Sequence, residues 1–224
     1  FPGVSAFFDD YYAQHRPVIL KGFAAAWPAL NWTPKNLAKQ YGSTEVVVCT
    51  GRTGDPRADA HFDTLSRSMT LAQYIDLLLA QSPTNDLYMI ARNGNLQRPE
   101  LAPMLDDLRY PEGMMRNGML SACLWLGPEG TKTVLHHDRN NIIFCQLYGT
   151  KTIDMIDPAT PELLPFHGQI YAPVELREFV ANSVKLTPGD ALFIPVGWWH
   201  RVRAETISIS VSSADFSIAN QDVF

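Results

Sequence analysis

Three residues with metal-binding side chains lie in two apolar stretches of the chain. His136 and Asp138 are two residues apart in the stretch TVLHHD, and His200 ends the run ALFIPVGWWH. In an extended strand, a spacing of two places both side chains on one face. Two histidines and one carboxylate on one face of a metal ion leave the opposite positions open, which is the ligand set of non-haem Fe(II) oxygenases. The pattern therefore predicts an iron site on His136 and Asp138, with His200 as the best candidate for the third ligand.

A lysine follows the predicted metal ligands along the chain. A His-x-Asp tripeptide alone is a weak signal, because a histidine in an apolar strand is usually a hydrogen-bonded core or surface residue. Here Gly149 and Thr150 predict the turn of a hairpin between apolar strands at residues 142–148 and 151–156, and Lys151 begins the second strand. A lysine that faces into a barrel needs an anion to offset its desolvation. A diacid such as 2-oxoglutarate supplies one, because its keto acid end chelates iron and its far carboxylate needs a cation.

These motifs resemble those of the Jumonji-C oxygenases, in particular the cupin-like branch that includes a protein asparaginyl hydroxylase. The similarity rests on a run of six positions and on the pattern GD-x-LFIP-x-x-WWH at residues 189–200. The six positions are Thr133, His136, Asp138, Gln146, Gly149 and Lys151. The resemblance covers nearly the whole chain, from RPVILKGF at residue 16 through DLYMIARN at residues 86–93 to the last predicted strand.

The resemblance implies a role for eight residues of this chain. Three would hold iron, three would bind the far carboxylate of 2-oxoglutarate, and two would line the cosubstrate pocket. In that order, they are His136, Asp138 and His200; Lys151, Thr133 and Tyr88; and Trp125 and Ser212. The implied cofactors are Fe(II), 2-oxoglutarate as a cosubstrate, and O2.

The chain departs from the family's pattern at one informative position. Six residues after the first metal histidine, many members carry an asparagine that touches the cosubstrate, and this chain has Ile142 there, with Asn140 and Asn141 just before it. Either a neighbour takes the place of that asparagine, or one polar contact is missing. A second conflict is geometric, because strict alternation from His136 puts Thr133 on the opposite face of the strand. The role implied for Thr133 therefore requires a twist or a β-bulge between the two residues.

Composition narrows the possible partners and location. The 224 residues carry a net charge of -5, which argues against an electrostatic grip on nucleic acid. No stretch reaches the ~18 to 20 uninterrupted apolar residues of a membrane span, and the first residues lack the basic region of a signal peptide. Cys49, Cys123 and Cys145 have no metal-ligand or CxxC spacing, so free thiols in a reducing compartment are favoured. We therefore expect a cytoplasmic protein with no membrane contact and no nucleic acid partner.

Hydrophobic periodicity predicts helices in the first half of the chain and strands in the second. Thr33 and Thr70 are predicted to cap helices at residues 34–41 and 71–81, and the polar residues 51–68 are predicted to form a long loop. A strand is predicted at residues 86–92. From residue 119, short strands are separated by Gly and Pro turns. The predicted fold is mainly β with flanking α, a double-stranded β-helix (jelly roll, cupin-like) with the helices of the N-terminal half packed outside.

We interpret residues 1–224 as a single Jumonji-C, cupin-like oxygenase domain. Residues 1–118 would form an N-terminal α/β support, and residues 119–213 would form the core barrel. A hydrophobic fraction of 46% is sufficient for the core of one domain of this size. The chain stops shortly after its last predicted strand, without the helical extension through which some relatives dimerise. A monomer is therefore favoured, with a dimer as the alternative.

The leading functional hypothesis is a 2-oxoglutarate-dependent dioxygenase that hydroxylates a C–H bond and releases succinate and CO2. The resemblance suggests a protein or peptide side chain as the substrate, and a small metabolite or a carrier-bound amino acid is the main alternative. Lysine demethylation is less favoured, because no aromatic cage for a methylammonium group is legible. A non-catalytic cupin and a metal-dependent enzyme without 2-oxoglutarate are further alternatives. The complete ligand triad argues against the first of these, and Lys151 argues against both.

Overall fold

The computed structural model describes residues 1–116, 121–166, 168–173 and 182–219. Within these residues there are four α-helices and eleven strands. The α-helices are Val4–Phe7 (α1), Pro34–Tyr41 (α2), Phe62–Leu65 (α3) and Leu71–Gln81 (α4). The strands are Val18–Leu20 (β1), Glu45–Cys49 (β2), Ser66–Thr70 (β3), Cys123–Gly127 (β4), Lys132–His136 (β5), Ile142–Tyr148 (β6), Lys151–Ile156 (β7), Asn182–Leu186 (β8), Ala191–Ile194 (β9), Trp199–Ala204 (β10) and Ser208–Ser213 (β11). A π-helical turn follows α1 at Phe8–Tyr12, and the longest 3₁₀ helix is Pro99–Asp107.

Two antiparallel sheets carry the architecture. Five strands pair in the order β1-β9-β6-β11-β4, and four pair in the order β5-β10-β7-β8. A separate ladder joins β2 to β3. This mainly antiparallel arrangement with a few helices confirms the predicted jelly-roll, cupin-like fold.

The five-stranded sheet is covered on both faces, and alternation along its central strand β6 shows how. Cys145 and Leu147 of β6 pack in the largest hydrophobic core with Tyr74 and Leu78 of α4. Phe144, which precedes Cys145 and has the opposite parity, packs instead with residues of β7 and β8 from the other sheet. Successive side chains of a strand point to opposite faces. The helices of the N-terminal half therefore lie outside the pair of sheets, as predicted.

Two helices begin where the sequence predicted. The Thr33 side chain accepts a hydrogen bond from the Asn36 amide at the start of α2. Thr70 and Gln73 form a reciprocal capping box at the start of α4. No helix among the described residues is long and apolar enough to cross a membrane.

Residues 51–68 are not the uninterrupted loop that their polarity suggested. They contain α3 and the start of β3, whose Arg67 and Ser66 pair with Val48 and Cys49 of β2. The β3 residues are half-buried or exposed, so the strand has no apolar alternation to reveal it. The strand predicted at residues 86–92 was also wrong in extent, because pairing there is confined to single bridges at Tyr88 and Met89. A 3₁₀ helix, Ala91–Asn93, then begins.

The hairpin predicted around Gly149 is wrong, although the turn is real. β6 has both edges occupied by β11 and β9, and β7 has both edges occupied by β10 and β8. The chain therefore crosses from one sheet to the other at this point. Gly149 has a φ of +68°, and a Cβ on it would lie 1.9 Å from the Ile207 carbonyl oxygen. Only glycine allows this close approach in a left-handed conformation.

The crossing at Gly149 leads to a stability prediction. Gly149→Ala is expected to lower the free energy of unfolding by about 2 to 4 kcal/mol, because left-handed strain and a forced backbone shift add together. Gly22→Ala is the matched control, since Gly22 has a φ of +65° but open space at its Cβ. The control should show the conformational strain alone, about 1 to 2 kcal/mol. Urea denaturation of both variants checks this, and equal losses would show that the contact with Ile207 is unimportant.

Candidate functional site

A cavity of about 180 Å³ lies between the two sheets. The three predicted metal ligands line it, and so do four of the five predicted cosubstrate residues. The four are Tyr88, Trp125, Thr133 and Ser212. The fifth, Lys151, is fully buried and lies against three of the rings that line the cavity. The fold thus brings together residues that are up to 124 positions apart, from Tyr88 to Ser212.

The predicted metal ligands form one compact group. His136 is the last residue of β5 and faces His200 of β10 across the ladder, with ring centroids 4.2 Å apart. The Asp138 Oδ2 atom is 3.5 Å from the His200 Nε2 atom. One ligand atom from each of the three residues lies within 4.8 Å of the others.

Hydrogen bonds orient both imidazoles for metal binding. The Nδ1 atom of His136 donates to the Val134 carbonyl at 2.8 Å, and that of His200 donates to the Trp198 carbonyl at 3.0 Å. These bonds set the tautomer, so each Nε2 atom carries a free lone pair. Burial, followed by the neighbouring His136, lowers the pKa of His200 to about 4, which keeps this imidazole neutral near pH 7. Two imidazole nitrogens and a carboxylate oxygen are a donor set that fits Fe(II).

Asp138 reaches the site by a different route from the one that its spacing suggested. β5 ends at His136, so the two residues do not share a face of one continuous strand. The chain turns after the strand, and the Asp138 carbonyl accepts a hydrogen bond from the Gly197 amide at 3.0 Å. This bond ties Asp138 to the segment that leads into His200.

A β-bulge resolves the geometric conflict over Thr133. His136 pairs with His200, whereas Thr133 pairs with Val202, so three steps along β5 match two steps along β10. The extra residue in β5 reverses the alternation between the two positions. Thr133 and His136 therefore both line the cavity, and the predicted irregularity is confirmed.

Lys151 is enclosed by the protein, where its amine has one polar contact among the described residues and lies against three aromatic rings. Its Nζ atom donates to the Tyr88 hydroxyl at 3.2 Å and lies 5.2 to 6.0 Å from the ring centroids of Tyr88, Trp125 and Phe144. Burial lowers the pKa of Lys151 to about 7. Thr133 and Tyr88 line the same cavity, so their two hydroxyl groups and the Lys151 side chain form a polar cluster at its wall. Such a cluster is suited to a carboxylate.

Two further residues shape the same end of the cavity. The indole Nε1 of Trp125 donates to the Ser212 hydroxyl at 2.9 Å, which fixes both side chains between β4 and β11. Ile142 lines the cavity at the position where an asparagine was expected, and Asn140 and Asn141 are absent from the lining. The Asn141 Oδ1 atom instead accepts from the Val196 amide at 2.8 Å. Neither neighbour therefore replaces the missing polar contact.

Sequence reasoning missed the part of the cavity that lies outside the strands. We call this part the loop wall, and it consists of Asp59, Arg92, Ser121, Ile170 and Tyr171. For Asp59, the one signal in the sequence was the polar character of residues 51–68. No spacing pattern marks Asp59 within that segment, because its position depends on contacts with distant residues.

Removing a predicted ligand should abolish metal binding. His136→Ala and Asp138→Ala are each expected to lose stoichiometric iron, because two remaining donors do not hold the ion against water. His137→Ala is a useful control, since His137 is buried next to His136 but is not part of the ligand group. Elemental analysis after anaerobic reconstitution checks this. Full iron content in both ligand variants would remove these residues from the metal site.

Lys151 should destabilise the fold when no anion is bound. Its pKa is lower in the folded protein than the ordinary value of 10.5, so the cost of burying the charge is complete below pH of about 7 and fades as the pH rises to 10.5. Lys151→Met is therefore expected to raise the free energy of unfolding by about 1 to 4 kcal/mol at pH 7. This gain should shrink between pH 7 and 10.5. Lys185→Met is the control, because Lys185 is exposed on β8, and it should change stability little. Urea denaturation across this pH range compares the two variants. A Lys151→Met protein that is less stable than the parent would contradict the argument.

Comparison with known proteins agrees with the geometry. A family model described as "Cupin-like domain" matches residues 4–219. "Lysine-specific demethylase 8" of Xenopus tropicalis is 29% identical over 94% of this chain and 50% of its own length. The human "Bifunctional peptidase and (3S)-lysyl hydroxylase JMJD7" is 26% identical over 83% of this chain and 61% of its own length. "tRNA wybutosine-synthesizing protein 5" of Gallus gallus is 23% identical over 92% of this chain and 72% of its own length.

The extent of these matches defines what they establish. The chain spans about half the length of several curated relatives that it matches, since the matches cover 50%, 52% and 56% of the length of three of them. The names of these relatives refer to different activities, so they do not agree on one reaction. The family match nevertheless covers almost the whole chain and includes the residues that converge on the cavity. The chain therefore belongs to the cupin-like, Jumonji-C family of Fe(II)- and 2-oxoglutarate-dependent oxygenases.

Proposed function

We propose that this protein hydroxylates an unactivated C–H bond of a protein or peptide side chain, with 2-oxoglutarate as the cosubstrate. The observation that carries the proposal is the meeting of two features in one cavity. A three-residue metal ligand set and a fully buried lysine both lie at the space between the sheets. A cupin that only binds a ligand would need neither the open ligand set nor the buried cation.

The chain's own residues would divide the work of the site. His136, Asp138 and His200 would hold the metal, and their arrangement would leave the other coordination positions open. When bound, Fe(II) supplies the activation of O2 that couples oxidation of 2-oxoglutarate to succinate and CO2 with hydroxylation. The protein contributes the geometry and the exclusion of water.

Lys151 would bind the far carboxylate of 2-oxoglutarate. An anion beside the ammonium favours its charged form, so binding of the diacid would raise the lowered pKa of Lys151. The Tyr88 hydroxyl contacts Lys151 and the Thr133 hydroxyl lines the same cavity, and both would donate to the same carboxylate. Ile142 would present an apolar surface to the cosubstrate where many family members present an amide.

The aromatic residues favour hydroxylation over demethylation. Recognition of a methylated ammonium group needs several free ring faces at the substrate side of the cavity. Tyr88, Trp125 and Phe144 instead surround the chain's own Lys151. In the loop wall, Tyr171 is the one aromatic residue among the described lining residues.

The size of the cavity favours a single side chain as the group that reacts. Its volume of about 180 Å³ is below the range of about 300 to 1,000 Å³ found for pockets that enclose whole small-molecule ligands. The cosubstrate must occupy part of this space. The proposed substrate is therefore a protein or peptide, most of which stays outside the cavity. A carrier-bound amino acid is the alternative. We propose that the enzyme acts as a monomer.

Substitution of Lys151 should separate cosubstrate binding from metal binding. Lys151→Ala is expected to bind iron normally but to lose about 2 to 5 kcal/mol of 2-oxoglutarate affinity, because the far carboxylate is left without its partner. This corresponds to a dissociation constant that is raised roughly 30-fold to several thousandfold. Lys151→Arg should be intermediate, since the longer planar fork displaces the diacid. Calorimetric titration with a redox-inert metal measures the dissociation constant of the metal, and titration of the metal-loaded protein measures that of 2-oxoglutarate. Unchanged 2-oxoglutarate affinity in Lys151→Ala would remove Lys151 from the site.

The reaction itself is tested by succinate release. Anaerobic protein is loaded with Fe(II) and 2-oxoglutarate, exposed to O2, and offered peptide pools or metabolite pools in parallel. Stimulation by peptides supports the proposed substrate class, and stimulation by metabolites alone supports the alternative. A parent protein that binds no 2-oxoglutarate would refute the proposed function.

A further inference from the structure

β5 is the edge strand of its sheet, and the partners of its outer edge change at the bulge. Before the bulge, the Lys132 carbonyl and the Val134 amide point away from β10 and bond to side chains. After the bulge, the Leu135 carbonyl and the His137 amide bond to the backbone of residues 170–172. The backbone groups that point away from β10 therefore belong to even-numbered residues before the bulge and to odd-numbered residues after it. This switch is the same reversal that places Thr133 and His136 on one face.

A buried ion pair satisfies the edge before the bulge. The Arg52 Nη2 atom donates to the Lys132 carbonyl at 2.7 Å and to the Asp59 Oδ1 atom at 3.0 Å. The other carboxylate oxygen of Asp59 accepts from the Val134 amide at 3.0 Å. Arg52 and Asp59 are only 2% and 5% exposed. The pair thus bridges the two residues that flank Thr133.

The same pair contacts two tyrosines that line the cavity, Tyr88 and Tyr171. The Arg52 guanidinium lies 5.3 Å from the centre of the Tyr88 ring. The Asp59 carbonyl accepts a hydrogen bond from the Tyr171 hydroxyl at 2.7 Å, and Tyr171 bridges to His136 on the far side of the bulge. Asp59 therefore connects the parts of the β5 edge that lie before and after the extra residue.

Stability alone is a poor reason for such a pair. Desolvation of two charges offsets most of their attraction, and apolar residues of similar volume often stabilise a fold as well or better. A buried polar pair can instead select one register among alternatives. An edge strand with a bulge needs such selection, since a shift of one residue turns every side chain to the opposite face.

We propose that Arg52 and Asp59 are positioning residues that hold the bulge of β5 in the register that presents Thr133, together with Tyr88, to the cosubstrate. The inference rests on the proposed function, since it concerns the site for 2-oxoglutarate. Neither residue needs to touch the cosubstrate. His136 has separate anchors in β10 and in residues 170–172, so the effect falls mainly on cosubstrate binding and less on the metal.

Calorimetry on Mn(II)-loaded protein tests this without turnover. Arg52→Ala and Asp59→Ala are expected to weaken 2-oxoglutarate binding by about 10- to 100-fold, the usual range for supporting residues, while Mn(II) affinity changes about threefold or less. Asp59→Asn keeps an oxygen that can accept from the Val134 amide, so it should lie nearer the parent than Asp59→Ala. The double alanine variant should bind 2-oxoglutarate about as weakly as either single variant, because the two residues act as one unit.

Asp190→Ala is the matched control, because Asp190 is a carboxylate as buried as that of Asp59 and pairs with Lys21 at 2.8 Å, but it lies just before β9 in the other sheet and does not line the cavity. It should lower the melting temperature and leave 2-oxoglutarate affinity unchanged. If the Arg52 and Asp59 variants behave like this control, the pair is structural only and the proposal is wrong. If an alanine variant does not fold, Arg52→Met and Asp59→Leu decide, because they keep most of the side-chain volume but remove the bonds to Lys132 and Val134. Unchanged cosubstrate affinity in both refutes the proposal. A parent protein without affinity for 2-oxoglutarate would instead refute the proposed function.

Discussion

An ammonium group enclosed by two β-sheets is the constraint on which the rest of the site depends. Lys151 has no exposed surface, and its one direct polar contact among the described hydrogen bonds is the Tyr88 hydroxyl. The cost of this burial is partly offset by the faces of three aromatic rings. The chain reaches this position because Gly149 lets it cross between sheets immediately before Lys151. The folded protein is thus arranged to favour an anion between its sheets.

The second constraint is the parity of a single strand. Thr133 and His136 are three positions apart, which is an odd number of steps, so an ideal strand would send them to opposite faces. The bulge in β5 removes this conflict, and the strand's outer edge is satisfied by different partners on its two sides. Bulges are common where a sheet must re-aim a side chain next to a functional site. Here one extra residue joins the metal end of the cavity to the polar cluster around Lys151.

Local signals predicted much of this structure, and long-range pairing explains what they missed. Thr33 and Thr70 cap their helices because capping involves only the next three residues. The role that the resemblance implied for Thr133 conflicted with strand alternation, and this conflict predicted a twist or a bulge. By contrast, residues 142–156 look like a hairpin in sequence, and only the competing partners of β6 and β7 separate them into two sheets. The β3 strand and the role of Asp59 were not legible, because β3 has little buried apolar surface and the contacts of Asp59 involve residues 75 and 112 positions away.

The cavity is built from two kinds of backbone, and this has an evolutionary consequence. His200 and Ser212 stand on strands that pair with a neighbouring strand on both sides, whereas the loop wall stands on segments with few ladder bonds. Loops accept insertions and exchanges more readily than paired strands do. Descendants of such a protein can therefore change what they recognise by altering the loop wall while inheriting the oxidative machinery intact.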